Sequence, residues 1–97
     1  MANAHFVVSY DIPGQKRRTR LFKRLSGMMT RIQYSVFEGL LDSGERHGLL
    51  DALAETIDPD ADRIVMYQLC ACCSRNRVVL GRDADAPVPG ESPVVIV

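Results

Sequence analysis

The chain contains no tryptophan, no glycine-rich phosphate-binding loop and no apolar run near the roughly 18 residues that a membrane-spanning helix needs. These absences argue against a membrane span and against nucleotide binding through a P-loop. The first residues also lack the basic and apolar segments of a secretory signal peptide, so we expect a cytoplasmic protein. Because no Ser-His-Asp or Cys-His arrangement is evident, any chemistry is expected to be metal-assisted.

Cysteine is scarce, and all three cysteines lie in one stretch, Cys70-Ala71-Cys72-Cys73. An odd count in a chain without a leader indicates reduced thiols rather than a disulfide framework. A structural zinc site takes four ligands, whereas this stretch offers three thiols and no neighbouring histidine. We interpret the stretch as small apolar residues at the end of a strand. A zinc site shared by two chains and a redox role are the alternatives.

The length of 97 residues fits one domain. A lone chain of this size buries only roughly 60–65% of its unfolded surface, which makes a homodimer a natural way to bury more. Residues 5–11 alternate as a strand, with Phe6, Val8 and Tyr10 on one face. Pro13-Gly14 then opens a helix. That helix carries an apolar stripe made of Leu21, Phe22, Leu25, Met28 and Met29.

Two further strands are predicted after this helix. Residues 31–37 form the second strand, and residues 38–41 form the third after a reversal near Phe37-Glu38-Gly39. Asp42 and Glu45 are expected to cap a second helix that ends before Pro59. Its buried side chains are predicted to be Leu49, Leu50, Leu53 and Ile57. Residues 63–69 form the fourth strand.

The resulting order, β-α-β-β-α-β, is the ferredoxin-like pattern of the α+β class, with two helices on one face of an antiparallel sheet. The other sheet face then needs a cover. We assign residues 1–81 to this domain, with residues 77–80 as a candidate short fifth strand. Residues 82–97 are assigned to a linker and an additional C-terminal strand, which is expected to dock on an open sheet edge.

The formal net charge is zero, but the charges are distributed unevenly. Residues 12–37 hold seven of the twelve basic residues and no acidic one, whereas residues 38–62 hold eight acidic residues and a single base, Arg46. This asymmetry predicts a positive region suited to phosphate. The alternative is a solvated basic helix face. The residues that we predict to bind nucleic acid are Lys16, Arg17, Arg20 and Arg24.

Asp11 ends the first strand beside the start of the basic helix. An acidic residue there either caps the helix or belongs to a site for phosphate and a divalent metal. At about 100° per residue, Arg18 falls within the apolar stripe, so its guanidinium needs an acceptor. Asp11, a backbone carbonyl and a bound phosphate are the candidates.

Arg31 leads a polar row on the second strand that includes Gln33 and Ser35. The row is consistent with an ordinary open sheet face and with a face that reads phosphates. Phe37 is an outlier on this row. It either packs into a dimer, which we favour, or stacks on a base.

These residues resemble the small CRISPR-associated adaptation nuclease family, the smaller partner of the CRISPR integrase. The resemblance rests on Tyr10-Asp11-Ile12, on Arg18 and Arg20, and on Arg31-Ile32-Gln33-Tyr34-Ser35-Val36-Phe37-Glu38. It covers residues 6 to about 69, and the octapeptide is its most specific part. The cysteine cluster is not part of the family pattern.

The resemblance implies a homodimer of ferredoxin-like protomers that acts in spacer acquisition for antiviral defence. It implies a Mg²⁺-dependent endonuclease that cleaves single-stranded RNA or double-stranded DNA, with Asp11 as the metal ligand at the two-fold axis. The other positions that it implicates in activity or substrate contact are Arg18, Arg20, Arg31 and Phe37, with Tyr10 as an adjacent candidate. The implied partners are RNA, duplex DNA and the larger integrase subunit.

Two main functions remain open from the sequence. One is a metal-dependent phosphodiesterase, favoured by Asp11 near cationic residues. The other is a catalytically silent DNA-binding scaffold that bridges integrase dimers, favoured by the lack of a second acid or base near Asp11. A toxin-like RNA-cleaving relative with the same fold is a third possibility.

Overall fold

In the part of the chain that the structure describes, four strands and two long helices are followed by a short helix. The computed structural model describes residues 3–81. Its elements are β1 (Ala4–Asp11), α1 (Gln15–Ser26), β2 (Thr30–Gln33), β3 (Val36–Leu41), α2 (Ser43–Thr56), β4 (Arg63–Leu69) and α3 (Ala71–Arg75). The predicted β-α-β-β-α-β order is confirmed. The predicted linker and C-terminal strand, residues 82–97, lie outside the described residues.

The sheet has the strand order β2-β3-β1-β4, and all three neighbouring pairs are antiparallel. Alternation along β1 places Phe6, Val8 and Tyr10 on one face, as predicted, and all three are buried. They form one core with apolar residues of both long helices: Leu21, Leu25, Leu49 and Leu53. Among residues 3–81, none of the helices combines the length and apolar character that crossing a bilayer requires.

The predicted boundary between the second and third strands is wrong. The chain reverses at Tyr34-Ser35, so β3 begins at Val36. Phe37 lies opposite Val8 in β1 and is completely buried. The error has a simple cause: apolar and polar residues keep alternating through the turn, and no glycine, proline or asparagine marks it. Phe37 therefore belongs to the core face and not to an open polar row.

The start of α2 is capped as predicted. The Glu45 amide donates to Asp42 Oδ1 at 2.7 Å, and the Asp42 amide donates to Glu45 Oε1 at 3.0 Å. Such a reciprocal cap satisfies two amides that have no partner within the helix. Of the predicted apolar residues, Leu49 and Leu53 are buried, while Leu50 and Ile57 are only partly buried.

The segment after β4 covers part of the second sheet face, but it is not a strand. The predicted short strand over residues 77–80 is wrong, since those residues have no regular secondary structure. Ser74 and Arg77 instead reach two buried polar side chains of the sheet. His5 hydrogen-bonds to Ser74 Oγ at 2.7 Å and to Glu38 Oε1 at 2.9 Å, and Arg77 Nε donates to Glu38 Oε1 at 2.7 Å.

This network explains why the segment lies where it does. The side chains of His5 and Glu38 are 2% and 3% exposed, respectively. Buried polar groups of this kind need partners, because their desolvation is otherwise uncompensated. Ser74 and Arg77 supply those partners from the far end of the described chain.

We expect Glu38→Ala to lower the free energy of unfolding by about 3 kcal/mol, because it leaves His5 and Arg77 largely buried without their carboxylate partner. Urea denaturation followed by circular dichroism measures the change. Glu55→Ala, which removes an exposed carboxylate from α2, is the control and should shift the free energy by less than about 0.5 kcal/mol. Equal shifts in the two variants would show that the network contributes no special stability.

Candidate nucleic-acid interface

The end of β1 brings a buried phenol next to an exposed carboxylate. Strand alternation turns Tyr10 toward the core and Asp11 toward the opposite face, where Asp11 is exposed. The Tyr10 hydroxyl donates to the Tyr34 carbonyl oxygen at 3.3 Å, and the Tyr10 amide donates to the Ser35 carbonyl oxygen at 3.1 Å. The turn between β2 and β3 is thereby fixed beside Asp11.

Arg18 finds the acceptor that its place in the apolar stripe requires. Its Nη1 donates to the Ile12 carbonyl oxygen at 3.0 Å and to the Pro13 carbonyl oxygen at 3.5 Å. Of the three predicted candidates, the backbone carbonyl is therefore the acceptor. These bonds hold the guanidinium against the link between β1 and α1, close to Asp11.

The Phe37 ring packs beneath this region. It stacks with Tyr10 at a centroid distance of 6.3 Å and meets Phe22 edge-on at 5.7 Å. Because Phe37 is 0% exposed, its predicted contact with substrate is not available in this structure. The favoured packing into a dimer is wrong as well, because the Phe37 ring lies in the core of its own chain, where it positions the residues around it.

Arg31 projects from β2 between two aromatic rings. Its guanidinium carbon lies 5.3 Å from the Phe22 ring centroid and 5.2 Å from that of Tyr34. Its Nε donates to the Gln33 carbonyl oxygen at 3.2 Å. Cation–π contacts of this kind orient the guanidinium while leaving it exposed to solvent.

These residues line two adjoining cavities. The first has a volume of about 190 Å³ and is lined by Tyr10, Arg18, Thr19, Phe22, Arg31 and Tyr34. The second has a volume of about 200 Å³ and is lined by Tyr10, Asp11, Ile12, Arg18, Tyr34 and Ser35. Each is smaller than the roughly 300 Å³ at which pockets for whole drug-sized ligands begin. Their size and charge suit part of a larger anion, such as a nucleic-acid phosphate and its sugar.

Comparison with known proteins agrees with this reading. The family model described as CRISPR associated protein Cas2 matches residues 4–77. The chain belongs to the Cas2 family. The CRISPR-associated endoribonuclease Cas2 3 of Chloroflexus aurantiacus is 44% identical over 75 residues, which cover 77% of this chain and 81% of that protein. The corresponding Cas2 4 of Rhodospirillum rubrum is 36% identical over 83 residues, covering 86% and 67%.

Solved structures show the same fold. Streptococcus pyogenes Cas2 superposes with a TM-score of 0.71 at 30% identity, covering 79% of this chain and 99% of that chain. A chain in a partial Cas6-RT-Cas1–Cas2 complex superposes with a TM-score of 0.65, covering 97% of this chain and 98% of that one. Its identity is 22%, so this second likeness concerns the fold alone.

In this Cas2 family member, the basic residues of α1 that we predicted to bind nucleic acid fall into three groups. Lys16 and Arg20 line a shallow groove together with Gln15, Thr19 and Lys23. Arg24 lines a different groove, beside Glu45 and Leu49 of α2. Arg17 is paired with Asp62, to whose carboxylate its Nε and Nη2 donate at 2.7 and 3.1 Å. Lys16 and Arg20 are therefore the pair best placed to follow a nucleic-acid backbone together.

The titration behaviour of Tyr10 limits its chemical role. Burial raises the pKa of Tyr10, and the nearby positive charges of Arg31 and Arg18 oppose that rise without cancelling it. The phenol consequently stays protonated at neutral pH. Tyr10 thus acts as a hydrogen-bond donor that orients the turn rather than as a general base.

Asp11 stands apart from other potential metal ligands. Within residues 3–81, no group of three or more His, Cys, Asp and Glu side chains is arranged to hold a metal ion. Across the sheet ladder Asp11 lies directly opposite Arg63 of β4. Phe22 and Tyr34 line the first cavity and were not predicted as site residues, because the packing of α1 on the sheet and the position of the turn decide their proximity.

We expect the Arg17–Asp62 pair to stabilise the fold in a pH-dependent way. The hydrogen bonds from Arg17 lower the pKa of Asp62 below its usual value of 3.8. The contribution is then fully present above that usual value and is lost as the pH falls through the lowered one. Asp62→Asn should therefore be less stable than the wild type at about pH 6, and this difference should shrink toward about pH 3.

Thermal unfolding of both proteins across this pH range measures the difference. Asp60→Asn removes an exposed carboxylate from the same loop and serves as the control. A difference between the wild type and Asp62→Asn that stays constant from neutral to acidic pH would contradict the assignment.

Proposed function

We propose that this chain is an endonuclease of CRISPR adaptation, which cleaves phosphodiester bonds of single-stranded RNA or double-stranded DNA with the help of Mg²⁺. The observation that carries the proposal is the placement of the exposed Asp11 carboxylate at a cavity edge shared with Arg18, which adjoins the cavity lined by Arg31. The names of the relatives support it, since those from Chloroflexus aurantiacus and Rhodospirillum rubrum are CRISPR-associated endoribonucleases.

The two arginines have distinct parts in this proposal. Arg31 is exposed and held between two rings, so it meets a phosphate without first having to be ordered. Arg18 is tied to backbone carbonyls and contributes a fixed positive charge behind the same site. Fixed positive charges stabilise the negative charge that develops on a phosphate during cleavage. Tyr10 and Phe37 keep the arrangement in place.

Asp11 fits Mg²⁺ as a single-carboxylate ligand. Mg²⁺ commonly keeps several waters and binds proteins through one or two carboxylates together with substrate phosphates. Asp11 would hold the ion, which supplies positive charge and an activated water when bound. We include the homodimer in this proposal, because a second Asp11 across a two-fold axis would provide the second carboxylate. Without a cation, two such carboxylates would repel each other at neutral pH.

A DNA-binding scaffold is the second candidate. It is favoured by the isolation of Asp11 among residues 3–81 and by the groove that contains Lys16 and Arg20. In this role the chain would bind duplex DNA and assemble with the larger integrase subunit, the Cas1 component of complexes such as the one that gave a structural match. Cleavage would then be unnecessary, whereas phosphate contacts would remain essential.

We expect Asp11→Asn to abolish Mg²⁺-dependent cleavage of labelled single-stranded RNA and duplex DNA, because the amide is a much poorer metal ligand than the carboxylate. Gel-resolved cleavage with and without Mg²⁺ measures activity, and isothermal titration with Mg²⁺ gives a separate readout. Asp51→Asn, an exposed carboxylate of α2, is the matched control and should retain the wild-type rate. Undiminished cleavage by Asp11→Asn would remove Asp11 from the mechanism, and no cleavage by any protein would favour the scaffold.

We expect Lys16→Ala and Arg20→Ala each to weaken binding to duplex DNA and to reduce the slope of log K against log salt by about 1. Each substitution removes one cation from the groove and hence the counterion release that this cation causes. Fluorescence anisotropy at several salt concentrations measures the slope. Arg46→Ala, in the acidic part of the chain, is the control, and a slope that all three variants share with the wild type would count against binding along this groove.

A further inference from the structure

The cysteine stretch forms a single turn on the surface of the molecule. Cys70 is the N-cap of α3, and Cys73 lies three residues later in its first turn. Cys70, Cys72 and Cys73 are all free and exposed. The Cys73 amide donates to Cys70 Sγ at 3.4 Å. The spacing Cys-x-x-Cys therefore brings two thiols together, while Cys72 lies between them in sequence.

Helical geometry determines which thiols can be joined. Residues three apart in a helical turn have Cα atoms about 5 Å apart, within the range of roughly 4.4–6.8 Å that disulfides span. Cys70 and Cys73 have this spacing in sequence, with Cys70 at the N-cap of the turn and its sulfur in contact with the Cys73 amide. Cys72 is directed elsewhere: the Asn76 side-chain amide donates to Cys72 Sγ at 3.6 Å and to the Cys72 carbonyl oxygen at 3.0 Å.

The two thiols of the pair differ in acidity. The Cys73 amide, followed by the Cys73 side chain, lowers the pKa of Cys70 by hydrogen bonding to its sulfur. Side-chain hydrogen bonding to Cys70 and the charge of the Cys70 thiolate raise the pKa of Cys73. Cys70 is thus the better nucleophile of the two, since the thiolate is the reactive form.

Hydrogen bonds to the sheet hold this turn in place. The Ser74 amide donates to the Cys70 carbonyl oxygen at 2.9 Å, and the buried Ser74 hydroxyl hydrogen-bonds to His5 of the sheet. Arg77, just after α3, pairs with the buried Glu38. The two thiols are therefore presented on a turn that is attached to the sheet.

We propose that Cys70 and Cys73 form a reversible dithiol–disulfide site that exchanges with low-molecular-weight disulfides of the glutathione class. The Cys70 thiolate attacks one sulfur of the small disulfide, forms a mixed disulfide and releases the first small thiol. Cys73 loses its proton and attacks the Cys70 sulfur, which forms the Cys70–Cys73 bond and releases the second small thiol. The two cysteines together lose two electrons and two protons, and the small disulfide gains both.

The test uses the full chain, reduced and then freed of metal with EDTA, in buffers with varied ratios of reduced to oxidised glutathione. Reaction is stopped with acid, and intact masses are measured before and after alkylation. The wild type and Cys72→Ser should each lose the mass of two hydrogen atoms, and excess dithiothreitol should restore it. Cys73→Ser should stop as a mixed disulfide and gain one bound glutathione.

Alkylation by iodoacetamide at neutral pH tests the assignment of Cys70 as the nucleophile. Reduced Cys72→Ser should react several-fold faster in its first step than reduced Cys70→Ser, which retains the other two thiols. The proposal is overturned if Cys72→Ser accumulates only mixed disulfide, if Cys73→Ser closes an internal disulfide as readily as Cys72→Ser, or if oxidation yields only disulfide-linked dimers. Tight zinc binding that blocks exchange in the protein before EDTA treatment would likewise overturn it in favour of a metal site.

Discussion

The burial of Phe37 is the constraint on which the candidate site depends. Its place opposite Val8 sets the register of β3 on β1, and its ring supports Tyr10 and Phe22 from below. The Arg31 guanidinium in turn lies over the Phe22 ring. The hydrophobic effect thereby positions a charged side chain at the protein surface, because the core ring and the exposed cation are linked through the Phe22 ring.

The two faces of the sheet are stabilised by different kinds of interaction. The helical face is a conventional apolar core, whereas the opposite face buries His5 and Glu38 and depends on hydrogen-bonded partners from the segment after β4. That segment also holds the turn with Cys70 and Cys73. The charge network, the cover of the sheet and the proposed thiol chemistry are consequently coupled through Ser74 and Arg77.

Local patterns in the sequence predicted those parts of the fold that depend on interactions between residues close together in the chain. Alternation predicted the core face of β1, and the Asp42–Glu45 pair predicted the cap of α2. The turn at Tyr34-Ser35 was missed because its residues continue the strand alternation. The course of the chain after β4 was missed because its partners are distant: His5 and Ser74 are 69 residues apart, and Glu38 and Arg77 are 39 residues apart. The proximity of Asp11 and Arg18 was predictable because the two residues flank one short link.

We propose that nucleic-acid phosphate binds where the cavity of Asp11 and Arg18 adjoins the cavity of Arg31. An NMR titration of the nitrogen-15-labelled chain with a single-stranded oligonucleotide that resists cleavage, followed through the arginine side-chain Nε–H resonances, tests this binding directly. We expect the Arg31 resonance to shift in a saturable way while that of Arg46, in the acidic stretch of residues 38–62, stays in place. An unmoved Arg31 resonance beside other arginines that do shift would contradict it.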